Sequence, residues 1–185
     1  MKKILGIFML IAGIVIAVTA SNATFAYFEA DREVHIAIVP DDNELIDLVP
    51  LQPYAYINDN GMLVIDLGTT NENYWKLVEK NIAVGEGVSP DSVYVFEHMF
   101  GISNHLWEQV PICMNVTYSG SGAIKFFVGE YTNETVAAHE FLVTIYPGET
   151  VPIGMLIDSE GLDAGEALSG TLNFDAELGE CEEEE

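Results

Sequence analysis

Four histidines, two cysteines, the glycosylation sequons at Asn115 and Asn133 and a large excess of carboxylates are the residues of this chain singled out as able to do chemistry. His139-Glu140 opens like a zinc-protease motif, but Val143 stands where the second imidazole would have to lie one helical turn on. His98 and His105 are seven apart around an expected strand end, and His35 sits in an earlier strand. Histidines scattered over strands are structural more often than ligating. No Gly-x-Ser-x-Gly elbow, phosphate-binding glycine loop or spaced Cys-His pair is present. Carboxylates are so numerous that some pair must be close by chance, so paired acids carry no information. The sequence therefore supplies no catalytic residues and is read as non-enzymatic, with a hydrolase as the least favoured alternative.

The cysteines and sequons point instead to covalent processing. Asn115-Val-Thr117 and Asn133-Glu-Thr135 are acceptors for N-glycosylation, and a used acceptor faces solvent. Cys113 alternates with Ile112 and Met114, which puts it on one strand face with Asn115. If Asn115 is modified, Cys113 faces outward as well. A bridge from Cys113 to Cys181 would then staple the tail to the surface; an intermolecular bond or two free thiols are the alternatives.

Charge bounds the partners. Acidic residues outnumber basic ones 30 to 6. Lys2 and Lys3 precede every acid, so a chain without its leader carries 4 basic against 30 acidic residues, a net charge near −26. Such a surface repels nucleic acid and anionic headgroups and stays soluble at high concentration. It invites cations, and calcium is a candidate cofactor because oxygen ligands abound. A solvated acidic face is the plainer reading. Asn58-Asp-Asn-Gly61 is a turn rather than an ion loop, because a calcium helix-loop-helix with its glycine at Gly61 would need an acid at Tyr56. The apolar share, near half, excludes a disordered acidic chain.

The elements that must position these groups begin with a leader. Lys2-Lys3 and the apolar run Ile4 to Ala20, about 17 residues long, form a signal sequence with an anchor-length core. Ala20, Ala23 and Ala26 each offer a cleavage site, and cleavage by signal peptidase between Ala26 and Tyr27 is favoured, making residues 1–26 a signal peptide. An uncleaved anchor is the alternative, and the membrane is met only through this segment. Val34, Ile36 and Ile38 alternate with His35 and Ala37, so residues 33–39 read as a strand near the new N-terminus.

Downstream, Tyr54 to Ile57 and Met62 to Leu67 flank an Asn-Gly turn and predict a hairpin. Residues 71–84 predict a short helix with Trp75, Val78 and Ile82 on one face. Strands then follow, with Tyr94, Phe96, His98, Phe100 and Ile102 sharing a face of the first. Apolar alternation marks the rest at Ile112 to Tyr118, Ile124 to Val128, Phe141 to Ile145, Val151 to Ile157 and Leu172 to Ala176. Ser119-Gly-Ser-Gly122 is read as a hairpin turn, and Pro147-Gly148 as a strand stop. Such spacing predicts an all-β, antiparallel two-sheet sandwich over residues 27–178, with an acidic tail without order at 179–185.

Thr24-Phe-Ala-Tyr-Phe-Glu-Ala-Asp31, after its basic and apolar leader, resembles the leader junction of the TasA/camelysin class of exported fibre proteins. The stretch from Gly85 to Asn104, with Gly85-Glu-Gly-Val-Ser-Pro-Asp91 at its head, is similar to an archaeal family of exported domains of unknown function. Pro147-Gly-Glu and Val151-Pro-Ile-Gly-Met-Leu-Ile-Asp158 fit the same pattern. The resemblance implies a jelly-roll-like, Ig-like sandwich and, for fibre-forming relatives, assembly in which the N-terminal strand of one subunit completes the sheet of the next. Metalloprotease activity, associated with the camelysin branch, is not carried over because no zinc motif is present.

Three jobs follow. The first is an extracellular, cell-surface filament or envelope subunit that polymerises with itself by donating Val34, Ile36 and Ile38; the same strand could instead pair as an ordinary edge of its own subunit. The second is a monomeric, membrane-anchored envelope or binding module, calcium-dependent or not. The third is the hydrolase.

Overall fold

Strands form in this chain where apolar residues alternate, and they stop where proline, glycine or asparagine intervenes. A computed structural model describes residues 45–82 and 85–182. The leader with its Ala26-Tyr27 junction, the segment 33–39 and residues 183–185 lie outside the described residues. The described elements are β1 (Ile46–Pro50), β2 (Ala55–Ile57), β3 (Leu63–Ile65), helix α1 (Glu72–Glu79), β4 (Val93–Asn104), β5 (Ile112–Gly120), β6 (Ile124–Val128), β7 (Glu140–Ile145), β8 (Thr150–Asp158) and β9 (Gly170–Leu178). Among the described residues the fold is all-β with one short helix, and every strand pair is antiparallel.

One sheet runs β1-β4-β8-β6, a second runs β7-β5-β9, and β2 and β3 pair alone. From β4 onward, successive strands alternate between the two larger sheets. The expected hairpin turn at Ser119–Gly122 is therefore corrected to a crossing. Ser121 N donates to Ser169 O, one step beyond the β5–β9 ladder, and Ile124 N then turns back onto Ser121 O, sending the chain to the other sheet. Pro147-Gly148 is a second crossing, with Gly148 at φ 74° and its N–H on Asn104 O.

The core takes residues from both larger sheets, including Phe100 and Ile102 of β4, Ile112, Met114 and Val116 of β5, and Ile153, Met155 and Ile157 of β8. Phe100 meets Phe126 and Phe174 edge-on, at centroid distances of 6.4 and 6.0 Å, and so joins the sheets through one ring. Phe127 points to the opposite face from Phe126 and is still only 1% exposed. It lies over Gly154, its partner on β8, where a Cβ would collide with the ring, and Tyr131 covers it edge-on at 5.2 Å.

Strand β4 departs from simple alternation. Phe96 opposes Met155 and Phe100 opposes Ile153, so β4 takes four residues where β8 takes two. His98 sits in this bulge at φ 54° instead of in regular alternation with Phe96 and Phe100. Beyond it the residues from Met99 to Asn104 are all buried.

The hairpin forms between β2 and β3, but Asn58 shapes its loop. Its Oδ1 accepts the N–H groups of Asn60 (2.9 Å) and Met62 (3.0 Å), and the positive φ falls on Gly61. Helix α1 also forms, over Glu72–Glu79 of the expected 71–84. Trp75, Val78 and Ile82, expected to be one face, are 62%, 38% and 48% exposed, and no residue of α1 is buried. The helix is held from its start instead. Asn71, 4% exposed, accepts Asn73 N–H at 2.7 Å and donates to Asp66 O at 2.6 Å and Pro53 O at 3.2 Å. Replacing Asn71 with alanine removes the cap and the donor to Asp66 O, while Pro53 O keeps Asn73 Nδ2 at 3.1 Å. The expected cost is about 2 kcal/mol, read as a lower urea midpoint at unchanged slope.

Strand β1, which the sequence reading passed over, pairs Ile46–Pro50 with Phe100–Asn104. Its Ile46-x-Leu48 alternation is the signal that could have found it.

Candidate functional site

The arrangement nearest to a catalytic constellation lies where β1 meets β4. Asp47 and Ser103 are cross-strand partners, and His105 follows at the end of β4. Ser103 Oγ lies 3.1 Å from His105 Nε2, and the same Nε2 lies 3.3 Å from Asp47 Oδ2. A serine relay uses both ring nitrogens, one toward the hydroxyl and one toward the carboxylate. Here both partners crowd one nitrogen, and Ser103 is 1% exposed, closed to a substrate. The group works as a joint. Asn104 beside it donates to Val110 O and Ile145 O and accepts Leu106 N–H, tying the 105–111 loop to β7.

His139 stacks obliquely on Tyr118 at 5.8 Å, and His98 lies in the β4 bulge. Among the described residues no three His, Cys, Asp or Glu side chains gather as a metal site would require. No helix among them is long and apolar enough to cross a membrane.

Cys113 and Cys181 meet in a disulfide with an S–S distance of 2.09 Å. Cys113 lies on the face of β5 away from the core, alternating with buried Ile112 and Met114. Gly179 N donates to Pro111 O, and Cys181 N to Thr144 Oγ1 of β7 at 3.0 Å. The Tyr146 hydroxyl donates to Glu180 Oε1 at 3.2 Å. The charge of Glu180, with that hydrogen bond, holds the Tyr146 phenol above its ordinary pKa. The acidic segment expected to lack order from 179 thus holds defined contacts as far as Cys181, where the bridge and the backbone bonds fasten β9's exit to β5 and β7.

The two sequons differ in setting. Asn133 is exposed on a loop where Thr135 Oγ1 accepts Thr132 N–H at 2.7 Å. Asn115 is half-buried on the central strand β5, between Leu142 of β7 and Asp175 of β9, and its Oδ1 is buried without a partner.

The remaining feature is an edge. The Gly179–Pro111 and Ser121–Ser169 hydrogen bonds flank the β5–β9 ladder and fix its phase. The odd-numbered residues of β9 direct their N–H and C=O groups to β5. Those of Gly170, Leu172, Phe174, Ala176 and Leu178 point the other way, where β9 has no neighbouring strand among the described residues. The same even positions carry the side chains that turn toward the core. Leu172 and Phe174 pack there only partly buried, and Leu178 is 72% exposed. Both the hydrogen-bonding capacity and the apolar cover of the smaller sheet are incomplete on this side. By the same phasing, from Tyr118 N on His139 O, the outer edge of β7 offers only Glu140, Leu142 and Thr144.

A family profile matches residues 38–181, from the segment before β1 to the second bridged cysteine. The chain belongs to the family described as a protein of unknown function, DUF1102. No curated protein matches it. The DUF1102 region contains both large sheets, the open β9 edge and both ends of the disulfide. Val34 and Ile36 precede it, and with Ile38 they lie outside the described residues. The sequence reading found the cysteines and sequons by residue type. It missed Asp47, Ser103 and the β9 edge, which exist only once distant strands are paired.

Proposed function

We propose that this DUF1102 protein is an exported structural subunit of a cell-surface filament or envelope layer, assembling with itself by donation of its N-terminal strand. The observation that carries the reading is the open edge of β9, with five residues' backbone groups unpaired by any strand among the described residues and Leu172 and Phe174 half-covered beside it. Edge strands of soluble monomers are ordinarily short, charged or covered; β9 carries Asp175 and Glu177 but is nine residues long and has no strand over it among the described residues. An edge of this length suits β-augmentation, in which main-chain bonds give affinity and alternate side chains give register. Val34, Ile36 and Ile38 supply such an alternation after a leader cut between Ala26 and Tyr27.

Other features fit. The Cys113–Cys181 bridge suits an oxidising, extracellular setting. The net negative charge suits a crowded surface. The core shared by two sheets supports a jelly-roll-like, Ig-like sandwich, and the leader junction resembles that of the TasA/camelysin class. Asn133 is the better placed of the two glycosylation acceptors.

The test is self-association of the protein purified from secreted material. The expected result is polymers by electron microscopy and light scattering, lost when Ile36 and Ile38 are both replaced by aspartate while the melting temperature of the body is retained. A monomer at all concentrations, indifferent to the two substitutions, would leave the monomeric envelope module as the reading.

A further inference from the structure

We infer that the acceptor for the donated strand is the outer edge of β9 in a second copy of the chain, entered antiparallel with Val34, Ile36 and Ile38 opposite Ala176, Phe174 and Leu172. This rests on the strand-donation reading above and adds the surface, direction and register.

The direction follows from where the chain enters. Ile46 pairs with Asn104, whose side chain bonds Ile145 O, and Ile145 and Leu178 both pair with Ile112. The start of β1 therefore lies at the Leu178 end of β9. A segment just upstream of Leu45 that reached β9 of its own subunit from that end would run parallel to it, unless the short connector were fully stretched. Every pairing described in this fold is antiparallel. A second copy is free to approach in that sense.

The register follows from phase. In an antiparallel pair, residues directly opposite share a face. The even positions of β9 carry both the free backbone groups and the core-facing side chains, so the apolar set 34, 36, 38 must fall opposite even positions. A slip of one residue would put isoleucines on the solvent face. In the central register His35 then lies beside Asp175 on the outer face and Ala37 beside Asn173, and Glu33 meets Glu177 only at the start of the donated strand. The β7 edge is the poorer acceptor, because its free backbone positions carry outward side chains, including Glu140.

Cysteine pairs read this directly. Full-length chains carrying His35→Cys are mixed with chains carrying Asp175→Cys under mild oxidation. The expected product is a reduction-sensitive dimer that neither variant forms alone. Asn173→Cys and Glu177→Cys serve as partners for the registers two residues away, and are expected to cross-link at least fivefold less. Ala176→Pro deletes an N–H on the free side of β9 without touching a bond to β5. It is expected to abolish the cross-link and leave the melting curve unchanged. Polymers that form without any of these cross-links would overturn β9 as the acceptor and leave donation standing at another edge. A bridge formed inside single chains carrying both cysteines would place the strand in its own subunit and overturn the inference. Absence of all association would remove both readings together.

Discussion

Replacing Cys113 and Cys181 together by serine is expected to lower the melting temperature by about 10 °C, and reduction of the parent protein to reproduce the shift. The bridge closes a loop with a sequence separation of 68. Constraining a loop of that size in the unfolded chain is worth about 3–4 kcal/mol, and for a domain of this length each kcal/mol moves the midpoint by about 3 °C. The loss should be local in its first effect. With the bridge gone, the exit of β9 keeps the Gly179–Pro111, Cys181–Thr144 and Tyr146–Glu180 hydrogen bonds, of which only the first is a backbone–backbone bond. Proteolysis should therefore nick residues beyond Leu178 well before the body unfolds. Calorimetry of parent, reduced parent and double-serine chains, with peptide mapping of early cleavage, checks both parts. An unchanged midpoint would mean that the sheets hold β9 without help.

The second large effect is at Gly154. Its added Cβ would collide with the ring of Phe127, which is itself 1% exposed and covered by Tyr131. Nothing there yields cheaply, because the atoms met belong to a rigid ring. Gly154→Ala is expected to cost about 2–3 kcal/mol as the ring is driven off its site. Phe127→Ala should cost about 3–5 kcal/mol through lost burial and the cavity left behind. The two are not independent. With the ring absent the alanine at 154 meets no obstacle, so the double variant should fall short of the sum by about 2 kcal/mol. Urea titrations of the four chains complete the cycle, and strict additivity would show that the ring and the glycine are not in contact.

These two sites illustrate what the sequence could and could not disclose. Strand positions were legible because alternation is a local property: Ile112, Met114 and Val116 announce β5, and Val151 to Ile157 announce β8. Asn58-Asp-Asn-Gly61 announced a hairpin for the same reason. What failed were inferences from neighbourhood. Ser119–Gly122 has the composition of a hairpin turn, but whether its flanking strands pair is decided by which other strands compete for their edges. Here β9 and β7 take both sides of β5. The helix face of Trp75, Val78 and Ile82 has the period of a buried face, yet the hairpin and sheets satisfy the core without it. His98 lost its place in the alternation to a bulge that no local signal marks. The candidate site was half visible. Cysteines are legible by type, and their placement on an outer face followed from period two, but an unpaired edge is a property of the completed sheet.

The strict alternation of strands between sheets also governs when this body can fold. Neither β4 nor β5 pairs with the strand that follows it; β4 waits for β8 and β5 for β7 and β9. Closing such distant pairs costs loop entropy before any contact rewards it, which places folding in the slow range of all-β domains, milliseconds to seconds. The central strand of the smaller sheet gains its second neighbour only when nearly the whole chain has been made, and the bridging cysteine comes later still. Neither large sheet can therefore be completed before β8 and β9 have been made, so both close late, after most of the chain exists.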